Sequence, residues 1–194
     1  MISNPLHLGK LPSEIIEVYK TATCLYSRKE IESALDAMAE SITNQLGNSN
    51  PILIGVVVGG IVTLGNLLPR LNFLLEVDYI HATRYQQSLR GQEFQLKVKP
   101  GLNLQDRTII LVDDILDGGI TMQCLIDFCH QESVAAVHSA VLVDKREARI
   151  FGGLEKADFV GLEIDNHYVF GYGLDYKGYL RNAPGIFQVA SKFE

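Results

Sequence analysis

The sequence of 194 residues contains few cysteines, and none lies in an arrangement that binds a metal. Its three cysteines, Cys24, Cys124 and Cys129, show neither a CxxC motif nor a Cys/His spacing typical of zinc sites. The five histidines are scattered and form no metal or catalytic-triad pattern. An odd number of cysteines without a recognisable signal peptide fits a reducing compartment, so we expect a cytoplasmic protein.

The chain also lacks a long apolar run and an excess of positive charge. No apolar run approaches the length of a membrane span, so we expect no membrane partner. The net charge of -6 and the pI near 5.4 argue against broad nucleic-acid binding through a basic face. No internal repeat, linker or low-complexity segment divides the sequence. A length of 194 residues suits one domain with a substantial core.

The most informative stretch runs from Thr108 to Thr121. Its first five residues are β-branched or aliphatic, which is typical of a strand buried on both faces. Asp113 and Asp114 follow where that strand is expected to end, and Asp117 comes after a two-residue apolar spacer. A Gly-Gly step then precedes a helical pattern. The sequence therefore predicts a strand, an acidic turn, a glycine loop and a helix.

Each part of this stretch has a physical use. Carboxylates at the carboxyl end of a buried parallel strand lie in the usual ligand crevice of such a sheet. Glycines beside a helix start let backbone N–H groups approach an anion, and the helix N-terminus favours negative charge. A phosphorylated ribose, with hydroxyls at one end and a phosphate at the other, matches both features. The alternative is an acidic turn in which the glycines only reverse the chain.

Strand and helix patterns alternate along the rest of the chain. Ser27 and Glu30 form a capping box that begins a helix ending at Gly47. A second apolar strand runs directly into Gly59-Gly60 and another helix. Strands outside the central stretch are predicted at residues 21–26, 51–58, 73–83, 136–143 and 158–164. This alternation predicts an α/β fold with a mostly parallel central sheet flanked by helices.

A polar segment beginning near Arg84 interrupts the alternation. Residues 84–91 are polar and end in glycine, and residues 93–98 alternate between apolar and polar side chains, which suggests a hairpin arm. A polar excursion from an α/β domain is a candidate active-site lid. An inert surface hairpin is an equal alternative from the residues alone.

The run from Thr108 to Thr121 resembles the ribose-phosphate signature of the type I phosphoribosyltransferases. The tail segments Tyr168-Val169-Phe170-Gly171-Tyr172 and Leu174-Asp175-Tyr176, together with Arg181, narrow the resemblance to the hypoxanthine-guanine branch of that family. The similarity extends from about Tyr26 to the end of the sequence and keeps the order of the motifs.

The resemblance implies a fold and an activity. The implied fold is one type I phosphoribosyltransferase domain over residues 1–194, with a hood formed by parts of the terminal segments and a flexible closing loop at about residues 84–98. Enzymes of this branch transfer the 5-phosphoribosyl group from phosphoribosyl pyrophosphate to N9 of hypoxanthine or guanine, giving IMP or GMP and pyrophosphate. The implied cofactor is Mg²⁺, and the implied assembly is a homo-oligomer, either a dimer or a tetramer.

The resemblance also implies a role for individual residues. Asp117 is implied as the catalytic base near N7 of the purine. Asp113 and Asp114 would address the ribose hydroxyls, directly or through magnesium-bound water, and Asp175 would hold a second magnesium. The remaining implied sites are a 5′-phosphate loop of Asp117, Gly118, Gly119, Ile120 and Thr121, a pyrophosphate site of Val58, Gly59, Gly60 and Arg181, a purine site of Lys145, Tyr168, Val169 and Asp175, and a closing loop that begins at Arg84 and Tyr85.

Some positions depart from the family pattern. Val58 stands where many relatives have lysine, Gly118 where many have threonine, and Arg84-Tyr85 where Ser-Tyr is common. None of these changes touches Asp117, so we expect the activity to survive.

The alternatives to this reading are an enzyme that prefers xanthine or adenine and a regulatory protein that senses phosphoribosyl pyrophosphate. A lysine amine donates to a 6-oxo group but pairs poorly with the amino group of adenine, so Lys145 favours hypoxanthine and guanine. The acidic pI and the absence of an added DNA-binding domain argue against a regulator.

Overall fold

The computed structural model describes residues 6–7, 9, 12–85 and 93–193. The α-helices are α1 (Ser13–Thr21), α2 (Arg28–Leu46), α3 (Gly60–Leu67) and α4 (Ile120–Gln131). The strands are β1 (Thr23–Ser27), β2 (Ile52–Val57), β3 (Glu76–Tyr85), β4 (Glu93–Val98), β5 (Thr108–Leu116), β6 (Ala136–Asp144), β7 (Phe159–Glu163), β8 (Val169–Phe170) and β9 (Gly185–Gln188). Short 3₁₀ turns lie at Leu68–Arg70, Arg146–Ala148 and Ser191–Phe193. Among the described helices, none combines the length and the hydrophobicity that crossing a bilayer requires.

The central sheet has six strands in the order β4-β3-β2-β5-β6-β7. All neighbouring strands are parallel except β3 and β4, which confirms the predicted mostly parallel sheet. Ile110 and Val112 of β5 pack in one core cluster with α2 and α3, whereas Ile109 and Leu111 pack with α4 on the opposite face. Both faces of β5 are therefore covered by helices, which is why its sequence is continuously apolar.

The helix boundaries follow local signals in the sequence. The Ser27 N–H donates to the Glu30 carboxylate at 2.8 Å, and the Ser27 hydroxyl caps the backbone N–H of Glu30, so the predicted capping box is present. Helix α3 ends at Leu67 and passes into a 3₁₀ turn that contains Pro69, as expected for proline beyond a helix end.

The terminal segments build a second, smaller sheet with the antiparallel order β1-β9-β8. Helix α1 covers it, and Tyr19 of α1 packs with Phe170 and Phe187, whose rings are stacked at 5.4 Å. The Tyr26 hydroxyl donates to the backbone oxygen of Glu163 at 2.8 Å and so links this sheet to β7. The small sheet corresponds to the predicted hood of the fold.

Several predicted strand boundaries are wrong. Thr21 is the last residue of α1, so β1 begins at Thr23 and not at residue 21. Strand β5 continues to Leu116 instead of ending before Asp113, because its pairing with β6 extends to Leu116 and Asp144. Strand β3 begins at Glu76, three residues later than predicted, and continues through Tyr85, because it pairs with β4 in the predicted hairpin arm. Residues 86–92 of the predicted closing loop lie outside the described residues, as do the side chains of Arg84 and Tyr85.

Candidate active site

The candidate site opens where β2 and β5 separate. Their parallel pairing ends at Gly55 and Val112, while β5 continues beside β6 through Asp113 and beyond. A cavity of about 350 Å³ lies at this carboxyl edge of the sheet, the usual place for a ligand in such folds. It is lined by predicted site residues from several elements, namely Gly59, Asp113, Asp114, Asp117, Thr121, Lys145, Tyr168, Val169, Asp175 and Arg181.

A second cavity of about 210 Å³ adjoins the first and holds the predicted 5′-phosphate loop. The two cavities share Asp113, Asp114, Asp117 and Thr121, and the second adds Gly118 and Gly119. Gly119 has a φ of 82°, and a Cβ there would lie 2.5 Å from the Leu154 carbonyl, so only glycine fits this turn. Helix α4 begins at the next residue, Ile120, and presents its N-terminus to the loop, which suits an anion.

Asp113 and Asp114 form a close carboxylate pair. The backbone N–H of Asp114 donates to Oδ1 of Asp113 at 2.9 Å. Burial raises the pKa of Asp113 well above its usual range, and the neighbouring charge of Asp114 raises it further. Burial also raises the pKa of Asp114, whereas the hydrogen bond with Asp113 and the charge of Arg181 act in the opposite direction. Such a pair lowers its energy by binding a cation or hydroxyl donors.

The glycine turn after β2 packs directly on this pair. A Cβ on Gly59 would lie 2.0 Å from Oδ2 of Asp114, and a Cβ on Gly60 would lie 2.5 Å from the Val112 carbonyl. Gly173, at a φ of 114°, approaches from the tail, and a Cβ there would lie 2.7 Å from the Gly59 carbonyl. The predicted pyrophosphate loop and the acidic strand end are therefore in contact, with no room for side chains between them.

Lys145 and Asp117 meet on one side of the larger cavity. Nζ of Lys145 lies 3.3 Å from Oδ1 of Asp117. Lys145 is only 8% exposed, whereas the Asp117 side chain is 53% exposed. The backbone N–H of Lys145 donates to the Leu116 carbonyl at 3.1 Å, which holds the turn after β6 beside the end of β5.

The tail supplies the opposite wall. Arg181 forms an ion pair with Asp175 at 2.6 Å, and its Nη1 lies 3.8 Å from Oδ2 of Asp114. Tyr168 packs edge to face against Tyr176 with ring centroids 5.6 Å apart. The guanidinium of Arg181 therefore lies between two predicted metal-binding carboxylates.

Among the described residues, no group of three or more His, Cys, Asp or Glu side chains converges as a metal cage. Magnesium does not require one, because it keeps several waters and is usually held by one or two carboxylates together with substrate phosphates. The Asp113 and Asp114 pair fits that pattern. The Asp175 carboxylate is engaged by Arg181 and by the Gly178 N–H at 2.6 Å.

Comparison with known proteins decides the family. The family model described as the phosphoribosyl transferase domain matches residues 22–177. The hypoxanthine-guanine phosphoribosyltransferase of Bacillus subtilis is 30% identical over 166 residues, which cover 84% of this chain and 89% of that protein. The Streptococcus pneumoniae enzyme of the same name is 31% identical over 163 residues, with the same coverage. The chain belongs to the hypoxanthine-guanine phosphoribosyltransferase family.

Solved structures of this family share the fold. A hypoxanthine-guanine-xanthine phosphoribosyltransferase superposes with a TM-score of 0.78 at 27% identity, covering 87% of this chain and 97% of that one. A Bacillus anthracis hypoxanthine-guanine phosphoribosyltransferase gives a TM-score of 0.77 at 27% identity, covering 86% and 97%. A Staphylococcus aureus hypoxanthine phosphoribosyltransferase gives 0.83 at 22% identity, covering 94% and 98%. The predicted type I phosphoribosyltransferase fold is confirmed.

The structure shows the surroundings of Val58 and Gly118, two of the positions that depart from the family pattern. Val58 is 50% exposed, does not line either cavity, and follows a cis peptide bond with Val57. A Cβ on Gly118 would lie 3.3 Å from the side chain of Ile150, so Ile150 occupies part of the space that a threonine would need. The Ile150 N–H also donates to the Gly118 carbonyl at 3.2 Å.

One prominent side chain of the site region is absent from the predictions. Arg149 donates to three backbone carbonyls around the predicted base and the predicted purine-binding lysine. Arginine four residues after Lys145 gives no motif signal, because its acceptors are backbone atoms that the sequence does not mark. Its position relative to the site depends on how β5 and β6 pair.

Proposed function

We propose that this chain is a purine-salvage enzyme that transfers the 5-phosphoribosyl group from phosphoribosyl pyrophosphate to N9 of hypoxanthine or guanine, giving IMP or GMP and pyrophosphate. The observation that carries the proposal is the adjacency of Lys145 and Asp117, with Nζ and Oδ1 3.3 Å apart in the cavity that also holds the carboxylate pair. O6 and N7 are neighbours on one edge of a 6-oxopurine. A donor beside an acceptor matches that edge.

The purine side of the site follows from this pairing. Lys145 donates to O6, and Asp117 accepts the hydrogen at N7. Tyr168 stacks on the base, and backbone atoms of Val169 read its edge. Tyr168 lines the cavity and is held against Tyr176, which supports a fixed stacking face. The 6-amino group of adenine presents hydrogens to the Lys145 ammonium, so adenine is disfavoured.

The sugar side uses the acidic strand end and the glycine loops. Asp113 and Asp114 bind the ribose hydroxyls, and the loop from Asp117 to Thr121 holds the 5′-phosphate at the N-terminus of α4. The turn of Val58, Gly59 and Gly60 binds pyrophosphate through backbone N–H groups, together with Arg181. The contact between Gly59 and Asp114 supports a shared site for ribose and pyrophosphate.

In the reaction, N9 of the base attacks C1′ of the ribose as the bond from C1′ to the pyrophosphate oxygen breaks. Pyrophosphate leaves with the bonding electrons, and the proton at N7 passes to Asp117. Positive charge develops on the ribose as in glycosyl transfer generally, and the neighbouring carboxylates Asp113 and Asp114 stabilise it. Asp113, Asp114 and Asp175 would hold magnesium, which would supply positive charge to neutralise the departing oxygens.

The remaining assignments complete the proposal. Arg84 and Tyr85 begin a closing loop that excludes water from the short-lived cation. Their position at the end of β3, beside Ala82 in the cavity wall, supports this role. We further propose that the chain acts as a single domain in the cytoplasm and as a homo-oligomer.

The test is incubation of the purified protein with phosphoribosyl pyrophosphate, Mg²⁺ and one of hypoxanthine, guanine, xanthine or adenine, followed by detection of the nucleotide. We expect IMP from hypoxanthine and GMP from guanine. Nucleotide formation only with xanthine or only with adenine would reject the proposed specificity. Absence of any nucleotide would reject the proposed reaction.

A further inference from the structure

We infer that Arg149 is a positioning residue for the purine half of the site, because its guanidinium ties the backbone that carries Asp117 to the backbone that carries Lys145. The inference rests on the proposed function, in which those two side chains read N7 and O6. Arg149 lies one residue after the 3₁₀ turn Arg146–Ala148 and touches neither base nor sugar in the proposal.

The contacts of Arg149 are spread over two segments that are far apart in sequence. Its Nη1 lies 2.7 Å from the Leu116 carbonyl, 2.5 Å from the Asp117 carbonyl and 3.1 Å from the Lys145 carbonyl, and these three acceptors share its two hydrogens. Its Nε donates to the Glu155 carbonyl at 3.0 Å, from the loop that follows. A single planar group therefore holds the end of β5, the start of the phosphate loop and the turn after β6 in one arrangement.

A buried carboxylate orients this guanidinium. Nη2 of Arg149 is paired with Oδ1 of Asp144, which is 0% exposed at the end of β6. The other oxygen, Oδ2, is buried without a hydrogen-bond partner in the described part of the chain, and Nε of Arg146 lies 3.9 Å from it. A buried carboxylate requires a paired cation, so Asp144 pairs with the Arg149 guanidinium and keeps it directed at the carbonyls.

This arrangement determines the spacing of the two purine-reading side chains. Lys145 and Asp117 project from the same backbone atoms that Arg149 clamps, and their polar atoms lie only 3.3 Å apart. A shift of about 1 Å at either backbone segment would break the match to two neighbouring atoms of a rigid ring. The hydrogen bonds of Arg149 within the described residues do not extend to Asp113, Asp114 or Arg181. In the proposed phosphate loop, Arg149 contacts only the carbonyl of the first residue, Asp117, among the described residues. The consequence of losing Arg149 should therefore be larger for the base than for the sugar phosphate.

The test compares Arg149→Lys and Arg149→Ala with the wild type and with Arg146→Ala. Arg146 is a suitable control because it also lies near Asp144, with Nε 3.9 Å from Oδ2, but its side chain is 59% exposed and is hydrogen-bonded to Glu163 and not to the clamped carbonyls. Lysine at position 149 keeps the charge that Asp144 needs, but it has one nitrogen and loses the fork that binds Asp144, the Glu155 carbonyl and the clamped carbonyls through three different nitrogens. Steady-state kinetics with varied hypoxanthine and guanine give KM and kcat for the base, and calorimetry gives the Kd for phosphoribosyl pyrophosphate with Mg²⁺.

We expect Arg149→Lys to lower kcat/KM for the base by about tenfold or more, the size expected when a hydrogen bond from a charged group is lost. The Kd for phosphoribosyl pyrophosphate should rise by a clearly smaller factor, because Arg149 contacts only the first residue of the phosphate loop and none of Asp113, Asp114 and Arg181. Arg149→Ala should show a larger loss, and Arg146→Ala should match the wild type.

Two results would overturn the inference: unchanged base kinetics in Arg149→Lys, or equal losses for the base and for phosphoribosyl pyrophosphate. The second result would mean a general structural role. Arg149→Lys keeps the test informative if Arg149→Ala does not fold, because a cation remains beside Asp144. An inactive wild type is a different outcome, since it would reject the proposed function itself together with the inference that rests on it.

Discussion

Nζ of Lys145 lies 3.3 Å from Oδ1 of Asp117, although the two residues are 28 positions apart in the chain. One residue follows β5 and the other follows β6, and the parallel pairing of those strands brings them together. An ammonium beside a carboxylate is an ordinary ion pair, but here the pair faces a cavity and the carboxylate is half exposed. In the proposed enzyme the purine edge uses both groups at once.

The first prediction concerns the proposed base. Asp117→Asn should lower kcat by about 10²- to 10⁴-fold, the usual contribution of general acid–base catalysis, because an amide does not accept the N7 proton. The Kd for IMP should change much less. Asp127→Asn, on the exposed side of α4, is the matched control and should be as active as the wild type. Turnover of Asp117→Asn near the wild-type rate would show that Asp117 is not the base.

The second prediction concerns the proposed purine donor. Lys145→Ala should raise KM for hypoxanthine and guanine by about 10- to 100-fold, because a charge-assisted hydrogen bond to O6 is lost. The Kd for phosphoribosyl pyrophosphate should remain close to the wild-type value in calorimetry. Lys156→Ala removes an exposed lysine elsewhere and serves as the control. Equal losses of base and phosphoribosyl pyrophosphate affinity in Lys145→Ala would contradict the assignment.

The third prediction concerns the contact between the glycine turn and the acidic strand end. Gly59→Ala would place a Cβ 2.0 Å from Oδ2 of Asp114, so the carboxylate must move and binding of phosphoribosyl pyrophosphate should be lost. Gly65→Ala is the control, because a Cβ there meets nothing within 4 Å. That change should raise the free energy of unfolding by about 0.5–1 kcal/mol and leave activity intact. Wild-type affinity in Gly59→Ala would mean that this contact does not matter for binding.

The fourth prediction concerns the pH dependence of stability. The Tyr172 hydroxyl donates to the Glu32 carboxylate at 2.7 Å, and this hydrogen bond is the main reason that the pKa of Glu32 is lowered. A lowered pKa in the folded state means that the stabilisation is present above the unfolded pKa of about 4.3 and is lost as the pH falls through the folded value. The pKa of Tyr172 is raised to about 12, mainly by burial, so stabilisation is also lost as the pH rises from about 10 towards that value.

Tyr172→Phe should therefore be less stable than the wild type by about 1–2 kcal/mol at pH 7, where the hydrogen bond to a charged carboxylate is complete. The difference should shrink as the pH falls below the unfolded pKa of about 4.3 and Glu32 becomes protonated. Urea denaturation at several pH values measures both effects. Tyr79→Phe, at a half-exposed position on β3, should follow the wild type throughout. A difference that does not depend on pH would show that packing, not the hydrogen bond, explains the loss.

The fifth prediction concerns magnesium. Chelation with EDTA should abolish nucleotide formation, and added Mg²⁺ should restore it, because the adjacent Asp113 and Asp114 carboxylates require a cation beside the charged substrate. Asp175→Asn should raise the Mg²⁺ concentration needed for half-maximal activity. Full activity of the wild type in EDTA would reject magnesium as the cofactor.

The fold was predictable where the residues of one segment are enough to specify the local structure of that segment. The apolar run of β5, the capping box at Ser27 and the glycine turns each specify local structure through burial, hydrogen bonding or backbone freedom. The end of β5 was not predictable from the sequence, because two adjacent aspartates are typical of a strand boundary. The pairing with β6 continues the strand past Asp113 and Asp114 to Leu116. The pairing of β1 with β9 joins residues near opposite ends of the chain, and neither strand marks its partner.

The sequence by itself determined the type of fold, the acidic segment before a glycine loop and the set of residues that the family resemblance implies, because these depend on residue order within short segments. Only the tertiary structure decided that Lys145 faces Asp117, that Gly59 leaves no gap to Asp114, and that Arg149 clamps the backbone of both strand ends. Those relationships depend on strand pairing and on contacts with backbone atoms. Because every residue type has the same backbone carbonyl, the sequence does not mark which carbonyls accept such contacts.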